Sequence, residues 1–410
     1  MPDVVTLKLD AMAHGGEAIG RYEGRAIFVP YAIPGEQVRV ELVEDRGRYA
    51  RARLLEVLEP SPARVAPACP YFGPEACGGC QWQHIDYAIQ ARLKGLVVMD
   101  QFRRVGKFDE PPILEPFPDE TGWEYRNHAL FRTDAAGRLG FLSAHSHDVY
   151  PVDDCPILHP LLNDLLHSLD LVYPELEWME LRAGTATGDL MVVLQAREDE
   201  PPALEVDFPL SVVQIRHDDA IAPLIGLDYI LEVIHERTFH ISATSFYQVN
   251  SAQAAQLVEV VMEALEPRGY QKVLDAYCGV GLFTAFLSEV AGHVIGIEAH
   301  PAAVADARHN LADADNVTLL EGTVEAQLPT VQDKLDAAVV DPPRTGLELA
   351  ALDALVVHNP ARIVYVSCDP ATLARDAQRL VKHGYTLQWV QPVDLFPQTY
   401  HIENVALLTR

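Results

Sequence analysis

The chain has 410 residues, which is too long for a single hydrophobic core, so two or three domains are expected. Apolar residues make up 49% and charged residues 22%, a composition that excludes disordered and fibrous proteins. The net charge of -28 argues against a protein that coats nucleic acid non-specifically, although local basic patches could still bind it. The first residues lack the pattern of a signal peptide, and no apolar run approaches the roughly 20 residues of a membrane span. We therefore expect a cytoplasmic protein without membrane contact.

Residues 1–62 alternate apolar and polar positions, with turn signals between strand-like runs. This pattern predicts a small five-stranded β-barrel of the OB type. The stretch RGRYARAR surrounds Tyr49 with arginines, a combination that suits a nucleic-acid backbone and its bases. A solvated strand face explains the same stretch equally well. The arginines are Arg46, Arg48, Arg51 and Arg53.

Four cysteines form a candidate metal site. Cys69, Cys77 and Cys80 fall in one loop rich in proline and glycine, and Cys155 lies farther along the chain. In a reducing compartment, clustered cysteines indicate metal or redox-cluster ligands before disulfides. Four thiolates are enough for zinc or for an iron-sulfur centre, and their spacing does not separate the two.

The segment 63–240 continues with a helix and a mixed region. Apolar residues at helical spacing predict a helix over 87–108. Strand-like runs between 121 and 240 then predict a mixed α+β domain. The helix is locally basic through Arg92, Lys94, Arg103, Arg104 and Lys107.

Residues 241–410 alternate apolar strands with amphipathic helices, which indicates a parallel sheet covered on both faces. The run VLDAYCGVGLF predicts a buried strand, a turn containing Gly279 and a helix, the arrangement that binds nucleotides in doubly wound folds. Glu298 ends the second strand, where a carboxylate typically holds ribose hydroxyls. Asp341 ends a third strand, before two prolines. These strand ends, in this order, predict a methyltransferase that uses S-adenosyl-L-methionine.

The motifs of this chain resemble the RNA (uracil-5-)-methyltransferase family. The N-terminal region is similar to the TRAM domain that many members carry, through GGEAIGR, FVPYAIPGEQV and PSPAR. The resemblance implies an α/β fold with a Rossmann-like class I methyltransferase domain at 241–410. It also implies an OB-type TRAM barrel at 1–62 and a mixed α+β middle domain at 63–240. The catalytic motifs are FYQVN at 246–250, DAYCGVGLF at 275–283, DPPR at 341–344, SCDP at 367–370 and FPQTYHIENVALL at 396–408.

The resemblance implies a catalytic role for each of four residues. Carbon 5 of uracil is a poor nucleophile, and a thiolate that adds at carbon 6 raises the electron density there. By motif position Cys368 is that thiolate, and Glu403 is the base that removes the hydrogen from carbon 5, with His401 as a nearby alternative. Asp341 would hydrogen-bond the target uracil and border the cofactor, while Arg344 would stabilise the developing oxyanion.

The resemblance also implies two bound groups. Gln248, Tyr277 and Glu298 match the family's contacts to S-adenosyl-L-methionine. The run CGGCQWQH resembles the family's four-iron four-sulfur (4Fe-4S) site, with Cys69 on a longer loop than the family pattern. This favours iron over zinc, in a structural role.

The RNA partner is inferred by analogy alone. A TRAM-like domain together with the cysteine set is more typical of the enzymes that modify 23S ribosomal RNA than of the bacterial transfer RNA enzyme. We expect a monomer that binds a structured loop of 23S rRNA through the barrel and the basic helix. Three alternatives stay open: a transfer RNA enzyme, a methyltransferase for an exocyclic amine, and a non-enzymatic RNA chaperone.

Overall fold

The computed structural model describes residues 4–144, 146–170, 173–269 and 271–410. The first strands are β1 (Val4–Met12), β2 (Ala18–Tyr22), β3 (Arg25–Val29), β4 (Gln37–Asp45) and β5 (Tyr49–Glu59). Within these ranges the five strands close into a barrel in the order β1-β2-β3-β5-β4. Buried and exposed side chains alternate along β1, so its inward residues Val5, Leu7 and Leu9 fill the barrel core. The predicted OB-type barrel is confirmed.

Helix α1 (Tyr87–Arg104) connects the barrel to the C-terminal half of the chain. Its N-cap residue Asp86 accepts a hydrogen bond from the Ala88 amide at 3.1 Å. Near its start, Leu93 and Val97 pack in the barrel core. Farther along, Val98 and Phe102 pack against the C-terminal sheet. The helix therefore belongs to both cores.

The barrel also contacts the C-terminal half directly. Trp82 Nε1 donates a hydrogen bond to the Gly16 carbonyl oxygen at 3.0 Å. A Cβ atom on Gly16 would lie 2.7 Å from Tyr400 Cβ, so only glycine fits this approach. These residues thus form one close contact between three segments. Gly16 lies in a barrel turn, Tyr400 lies in a C-terminal loop, and Trp82 follows Cys80 in the loop that carries Cys69, Cys77 and Cys80, called the cysteine loop below.

The middle region is a mixed sheet flanked by helix α2 (Pro160–Ser168) and followed by a β-hairpin. Its strands are β6 (His128–Thr133), β7 (Leu139–Leu142), β8 (Val149–Pro151), β9 (Leu176–Ala183), β10 (Leu190–Ala196), β11 (Ser211–Ile215) and β12 (Ile221–Ile225). They lie in the order β12-β11-β10-β9-β6-β7-β8. The hairpin consists of β13 (Tyr229–Ile234) and β14 (Arg237–Ser242). This is the predicted α+β middle region, while the domain limits 62 and 240 stay a prediction.

The C-terminal region is a Rossmann-like sheet with helices on both faces. Its strands are β15 (Lys272–Ala276), β16 (His293–Glu298), β17 (Val317–Glu321), β18 (Ala337–Val340), β19 (Arg362–Ser367), β20 (Thr386–Val393) and β21 (Glu403–Thr409). Its helices are α3 (Ser251–Leu265), α4 (Leu282–Val290), α5 (Pro301–Asn310), α6 (Val324–Gln327), α7 (Leu349–His358) and α8 (Pro370–Lys382), with a 3₁₀ turn at Leu328–Thr330.

The strand order of this sheet is β17-β16-β15-β18-β19-β21-β20. The pairs from β17 to β19 are parallel, as predicted, but β21 runs antiparallel to both of its neighbours. The chain enters β21 from β20 through the loop 394–402 without a crossover helix, and such a connection joins antiparallel strands. No helix among the described residues is long and apolar enough to cross a membrane.

Candidate active site and cysteine cavity

The glycine turn after β15 lies beside the carboxylate that ends β16. Glu298 accepts hydrogen bonds from the backbone amides of Gly279 at 3.0 Å and of Ala299 and His300 at 2.7 Å each. Gly279 has a φ of 54°, and a Cβ atom built on it would meet nothing within 4 Å. An open backbone turn next to a fixed carboxylate fits a nucleoside ligand held through its ribose. The residues predicted to hold the cofactor here are therefore arranged suitably.

Two further predicted cofactor residues are Tyr277, which directly follows β15, and Gln248. Tyr277 has a left-handed backbone, with φ 66°, and its hydroxyl donates a hydrogen bond to Glu325 Oε1 at 3.2 Å. Gln248 lies in the segment 246–250, whose Tyr247 packs in one core with Val280 of the turn. The Gln248 carbonyl oxygen accepts a hydrogen bond from Asn127 Nδ2 of the middle region at 2.8 Å.

The four predicted catalytic residues converge at one edge of the sheet. Cys368 follows β19, Asp341 follows the neighbouring β18, and Glu403 begins β21. Burial, followed by the charges of Glu403 and Asp341, raises the pKa of Cys368 to about 12. Arg344 opposes this shift through its charge and a hydrogen bond to the sulfur. The thiol is thus protonated at neutral pH in the free protein, and the cation beside it favours the thiolate.

Glu403 is buried with little support for its carboxyl group. The side chain is 5% exposed, and its Oε1 atom has no hydrogen-bond partner. Burial and the charge of Asp341 raise the pKa of Glu403 well above its ordinary value, and Arg344 offsets part of this. A buried carboxyl group with a raised pKa and a free oxygen is suited to accept a proton.

The pKa values of Asp341 and of the alternative base His401 are shifted in opposite directions. Burial and the charge of Asp275 raise the pKa of Asp341 to about 7. Burial, followed by the charges of Arg344 and Lys94, lowers the pKa of His401 to about 4. His401 is therefore neutral at physiological pH and much the weaker base.

Asp376, which sequence reasoning missed, organises the loop after the DPPR motif. Its buried carboxylate accepts hydrogen bonds from the Leu347 amide at 2.9 Å and the Tyr365 hydroxyl at 3.0 Å. Thr372 Oγ1 donates to the Arg344 carbonyl oxygen at 3.2 Å. These contacts anchor Arg344 to helix α8. An acidic residue within a helix gives no sequence signal that it is buried.

Lys94 was predicted to belong to the basic surface of the helix, and that prediction is wrong. Its side chain is fully buried, and Nζ lies 2.6 Å from Asp394 Oδ1. Asp394 is distant in sequence, so the helical pattern alone could not reveal this ion pair.

The arginines of the predicted nucleic-acid stretch are largely paired with acidic residues. Arg51 lies 2.6 Å from Glu17, and Arg53 forms an ion pair with Glu41. Arg46 also pairs with Glu44. Much of the positive charge of this barrel face is thus compensated within the barrel.

The four predicted cysteine ligands line one cavity. Cys69, Cys77, Cys80 and Cys155 line a cavity that is open in part to solvent, together with Arg126. Burial raises the pKa of all four thiols, that of Cys155 to about 11. Among the described residues, no group of three or more His, Cys, Asp or Glu side chains is arranged to hold a metal ion. The four cysteines lie around one cavity, and their role as metal ligands stays a prediction.

The sheet, the glycine turn and the carboxylate beside it define a Rossmann-like methyltransferase of the kind that uses S-adenosylmethionine. A general methyltransferase domain family matches residues 273–345. The TRAM domain family matches residues 3–55, and the tRNA (uracil-5-)-methyltransferase family matches residues 327–410.

Relatives match along the whole chain. An uncharacterized RNA methyltransferase of Streptomyces avermitilis is 37% identical, covering 100% of this chain and 98% of that protein. One of Thermosynechococcus vestitus is 35% identical, covering 99% and 98%. Among solved structures, the Pyrococcus abyssi tRNA (uracil-54, C5)-methyltransferase in complex with S-adenosyl-L-homocysteine is 26% identical. It has a TM-score of 0.78 and covers 99% of this chain and 100% of that one. The chain belongs to the RNA (uracil-5-)-methyltransferase family and carries the family's N-terminal TRAM domain.

Proposed function

We propose that this enzyme methylates carbon 5 of a uridine through a covalent bond between Cys368 and the base. The observation that carries the proposal is the convergence of a thiol, two carboxyl groups and a guanidinium at one sheet edge. The charges of Asp341, Arg344 and Glu403 all act on the Cys368 sulfur. Methylation of an exocyclic amine would need neither a thiolate nor a second buried base, so this set of residues favours attack on the ring.

The first step requires the Cys368 thiolate. The sulfur adds to carbon 6, and the electron pair of the ring double bond moves toward carbon 4 and its oxygen. Arg344 favours the thiolate and stabilises negative charge on the ring oxygen, while Asp341 hydrogen-bonds the uracil. Bound S-adenosylmethionine supplies an electrophilic methyl group to carbon 5. Gln248, Tyr277, Gly279, Glu298 and Asp341 are the residues proposed to hold it.

The last step restores the aromatic base. Glu403 accepts the proton from carbon 5, the electrons of that bond form the carbon 5 to carbon 6 double bond, and the sulfur leaves carbon 6. The methylated base and the free thiolate are the products. The raised pKa and the unpaired oxygen of Glu403 support this role.

The cysteine cavity is proposed to hold a 4Fe-4S cluster in a structural role. Support comes from four thiols lining one cavity, since four cysteines are the usual ligands of such a cluster. Iron and acid-labile sulfide, measured on protein purified without oxygen, should be present and should be lost in Cys80→Ser. Cys278→Ser, which changes a buried cysteine outside the cavity, is the matched control and should retain both. Iron-free wild-type protein would contradict the proposal.

The proposed RNA is a structured loop of 23S rRNA, bound by a monomer. The target base has to leave its stack to reach Cys368, and extrusion costs least where the base is already unpaired. Support for ribosomal RNA is the combination of TRAM domain and cysteine set. Transfer RNA is the second candidate, because the Pyrococcus abyssi enzyme acts on tRNA and matches this chain over its full length.

Two experiments test these proposals. RNA containing 5-fluorouridine should trap the enzyme, because fluorine at carbon 5 cannot be removed as a proton, and mass analysis should find the adduct on Cys368. Methylation that survives in Cys368→Ala would reject the mechanism. Mapping 5-methyluridine in a strain without this protein decides the substrate, since loss of a transfer RNA site with intact ribosomal RNA would select the second candidate.

A further inference from the structure

The loop 394–402, which delivers Glu403 to the active site, is held by residues outside the methyltransferase region. Three of its polar side chains are buried, namely Asp394, Gln398 and Thr399. Helix α1 and the loop that carries Cys77 and Cys80 supply partners to Asp394 and Gln398. This loop is the chain's entry into β21, so its path sets the direction from which Glu403 approaches the base.

An ion pair without solvent exposure fixes the start of the loop. Lys94 Nζ donates to Asp394 Oδ1 at 2.6 Å and to the Phe396 carbonyl oxygen at 3.0 Å. Both charged side chains are fully buried. Such a pair is satisfied in one geometry only, because displacing either partner leaves a buried charge uncompensated.

A pair of glutamines fixes the middle of the loop. Gln90 Nε2 donates a hydrogen bond to Gln398 Oε1 at 2.9 Å. The backbone amide of Gln398 donates a hydrogen bond to Gln90 Oε1 at 3.0 Å. The Gln398 carbonyl oxygen accepts hydrogen bonds from the amides of Gln81 and Trp82. Gln398 has a φ of 66°, a left-handed conformation that glutamine adopts only when its surroundings require it.

The same network reaches the segment that carries Gln248. Tyr87 OH donates to Asp394 Oδ2 at 3.2 Å and accepts a hydrogen bond from the Asp119 amide at 2.7 Å. Asp119 Oδ2 in turn accepts a hydrogen bond from Asn250 Nδ2 at 2.9 Å. Helix α1 therefore connects both segments proposed to meet the methyl group and the base.

We propose that Lys94 and Gln90 are positioning residues that aim Glu403 at the proton of carbon 5. Glu403 has a free Oε1 atom, and its backbone pairs with Val393 of β20, but the strand pairing ends there and extends only on the Asn404 side. On the other side its placement depends on the loop that Lys94 and Gln90 hold. The inference rests on the proposed role of Glu403. Helix α1 then affects the release step, in which the proton leaves carbon 5 and the sulfur leaves carbon 6. It does not affect the formation of the adduct.

The test separates the two steps in single-turnover reactions with a natural uridine RNA and radiolabelled methyl donor. Denaturing gels measure the rate at which the methylated protein-RNA adduct forms and the rate at which it disappears. In Gln90→Leu, and in Lys94→Met combined with Asp394→Asn, release should slow roughly 10- to 100-fold while the rate of formation stays unchanged. The combined variant leaves no unpaired buried charge.

Controls distinguish the possible failures. Lys334→Met changes an exposed lysine and should match the wild type in both rates. A fraction of inactive protein lowers the amplitudes of adduct formation and adduct release, but it leaves the ratio of the two rates unchanged. A variant whose ratio of rates equals that of the wild type would therefore show a merely structural role and overturn the inference. If the combined variant does not fold, Gln90→Leu decides alone. If Glu403→Gln itself releases product normally, the proposed function fails instead.

Discussion

The side-chain amide of Asn404 donates a hydrogen bond to the carbonyl oxygen of Ser367 at 3.2 Å, and the two residues face each other across β21 and β19. Because the strands are antiparallel, Cys368 and Glu403 each lie one residue farther toward the same sheet edge. The register of one strand pair thus brings the proposed nucleophile and base together.

The variant Asn404→Ala, compared with a control, should separate the effect of aligning Cys368 with Glu403 from the effect of a general loss of stability. Loss of this buried hydrogen bond to Ser367 should cost about 1 kcal/mol of unfolding free energy and roughly tenfold in kcat. Asn316→Ala is the matched control, since the Asn316 amide also donates to backbone oxygens but far from the site. Equal kcat values in the two variants, measured at saturating RNA, would contradict the expectation.

Adduct formation should depend steeply on pH. Because the pKa of Cys368 is raised to about 12, the thiolate fraction increases about tenfold for each pH unit through the neutral range. The rate of trapping on 5-fluorouridine RNA should therefore rise from pH 6.5 to 9. Arg344→Met removes the cation that favours the thiolate, so its rate should be lower at each pH. A profile that is flat in this range would show that RNA binding ionises the thiol.

Glu403→Gln should have opposite effects on the two halves of the reaction. Removing the carboxylate removes a charge that raises the pKa of Cys368, so the adduct should form at least as fast as in the wild type. Release should fall by about 10² to 10⁴, the usual contribution of a general base. Denaturing gels should then show a stable complex with natural uridine RNA. His401→Ala should not accumulate this complex, and accumulation there would move the base to His401.

Asp275→Asn should stabilise the protein at neutral pH and not in acid. Asp275 is fully buried, and burial raises its pKa from 3.8 to about 6. The ionised form is therefore penalised only in the folded state. This penalty is absent below pH 3.8 and complete above about pH 6, where it amounts to about 3 kcal/mol.

Thermal unfolding as a function of pH checks this expectation. The Tm difference between Asp275→Asn and the wild type should be small near pH 4 and grow as the pH rises through 6. The Thr284 hydroxyl can still donate to the new amide oxygen, as it does to Asp275 Oδ2. Asp353→Asn, on the exposed side of α7, should show no such trend. A uniform gain at every pH would mean that ionisation is not the cause.

The parts of this protein that follow local patterns could be predicted from its sequence. The barrel could be predicted because apolar residues such as Val5, Leu7 and Leu9 recur at every second position. Cys368 and Glu403 could be named because they lie in motifs whose order resembles a family. In both cases the information is contained in short segments.

The support of the site could not be predicted, because it depends on partners far apart in the chain. Lys94 occupies a helix that is basic overall, and its buried partner Asp394 belongs to the last loop. Asp376 also looks like a surface residue of α8 until its bonds to Leu347 and Tyr365 are known. Charged residues in a sequence are expected to be exposed to solvent, and only the fold shows which of them are buried.

The contact among Gly16, Trp82 and Tyr400 has a consequence for how this enzyme could be re-engineered. The barrel is not an exchangeable cassette, since its turn rests against the loop that leads to Glu403. A chimaera that receives a barrel from another RNA-binding protein would need a glycine at that turn and a carbonyl oxygen facing Trp82. Deleting the barrel should disturb the proposed proton removal by Glu403 as well as RNA affinity, so a truncation cannot measure the barrel's contribution to RNA binding alone.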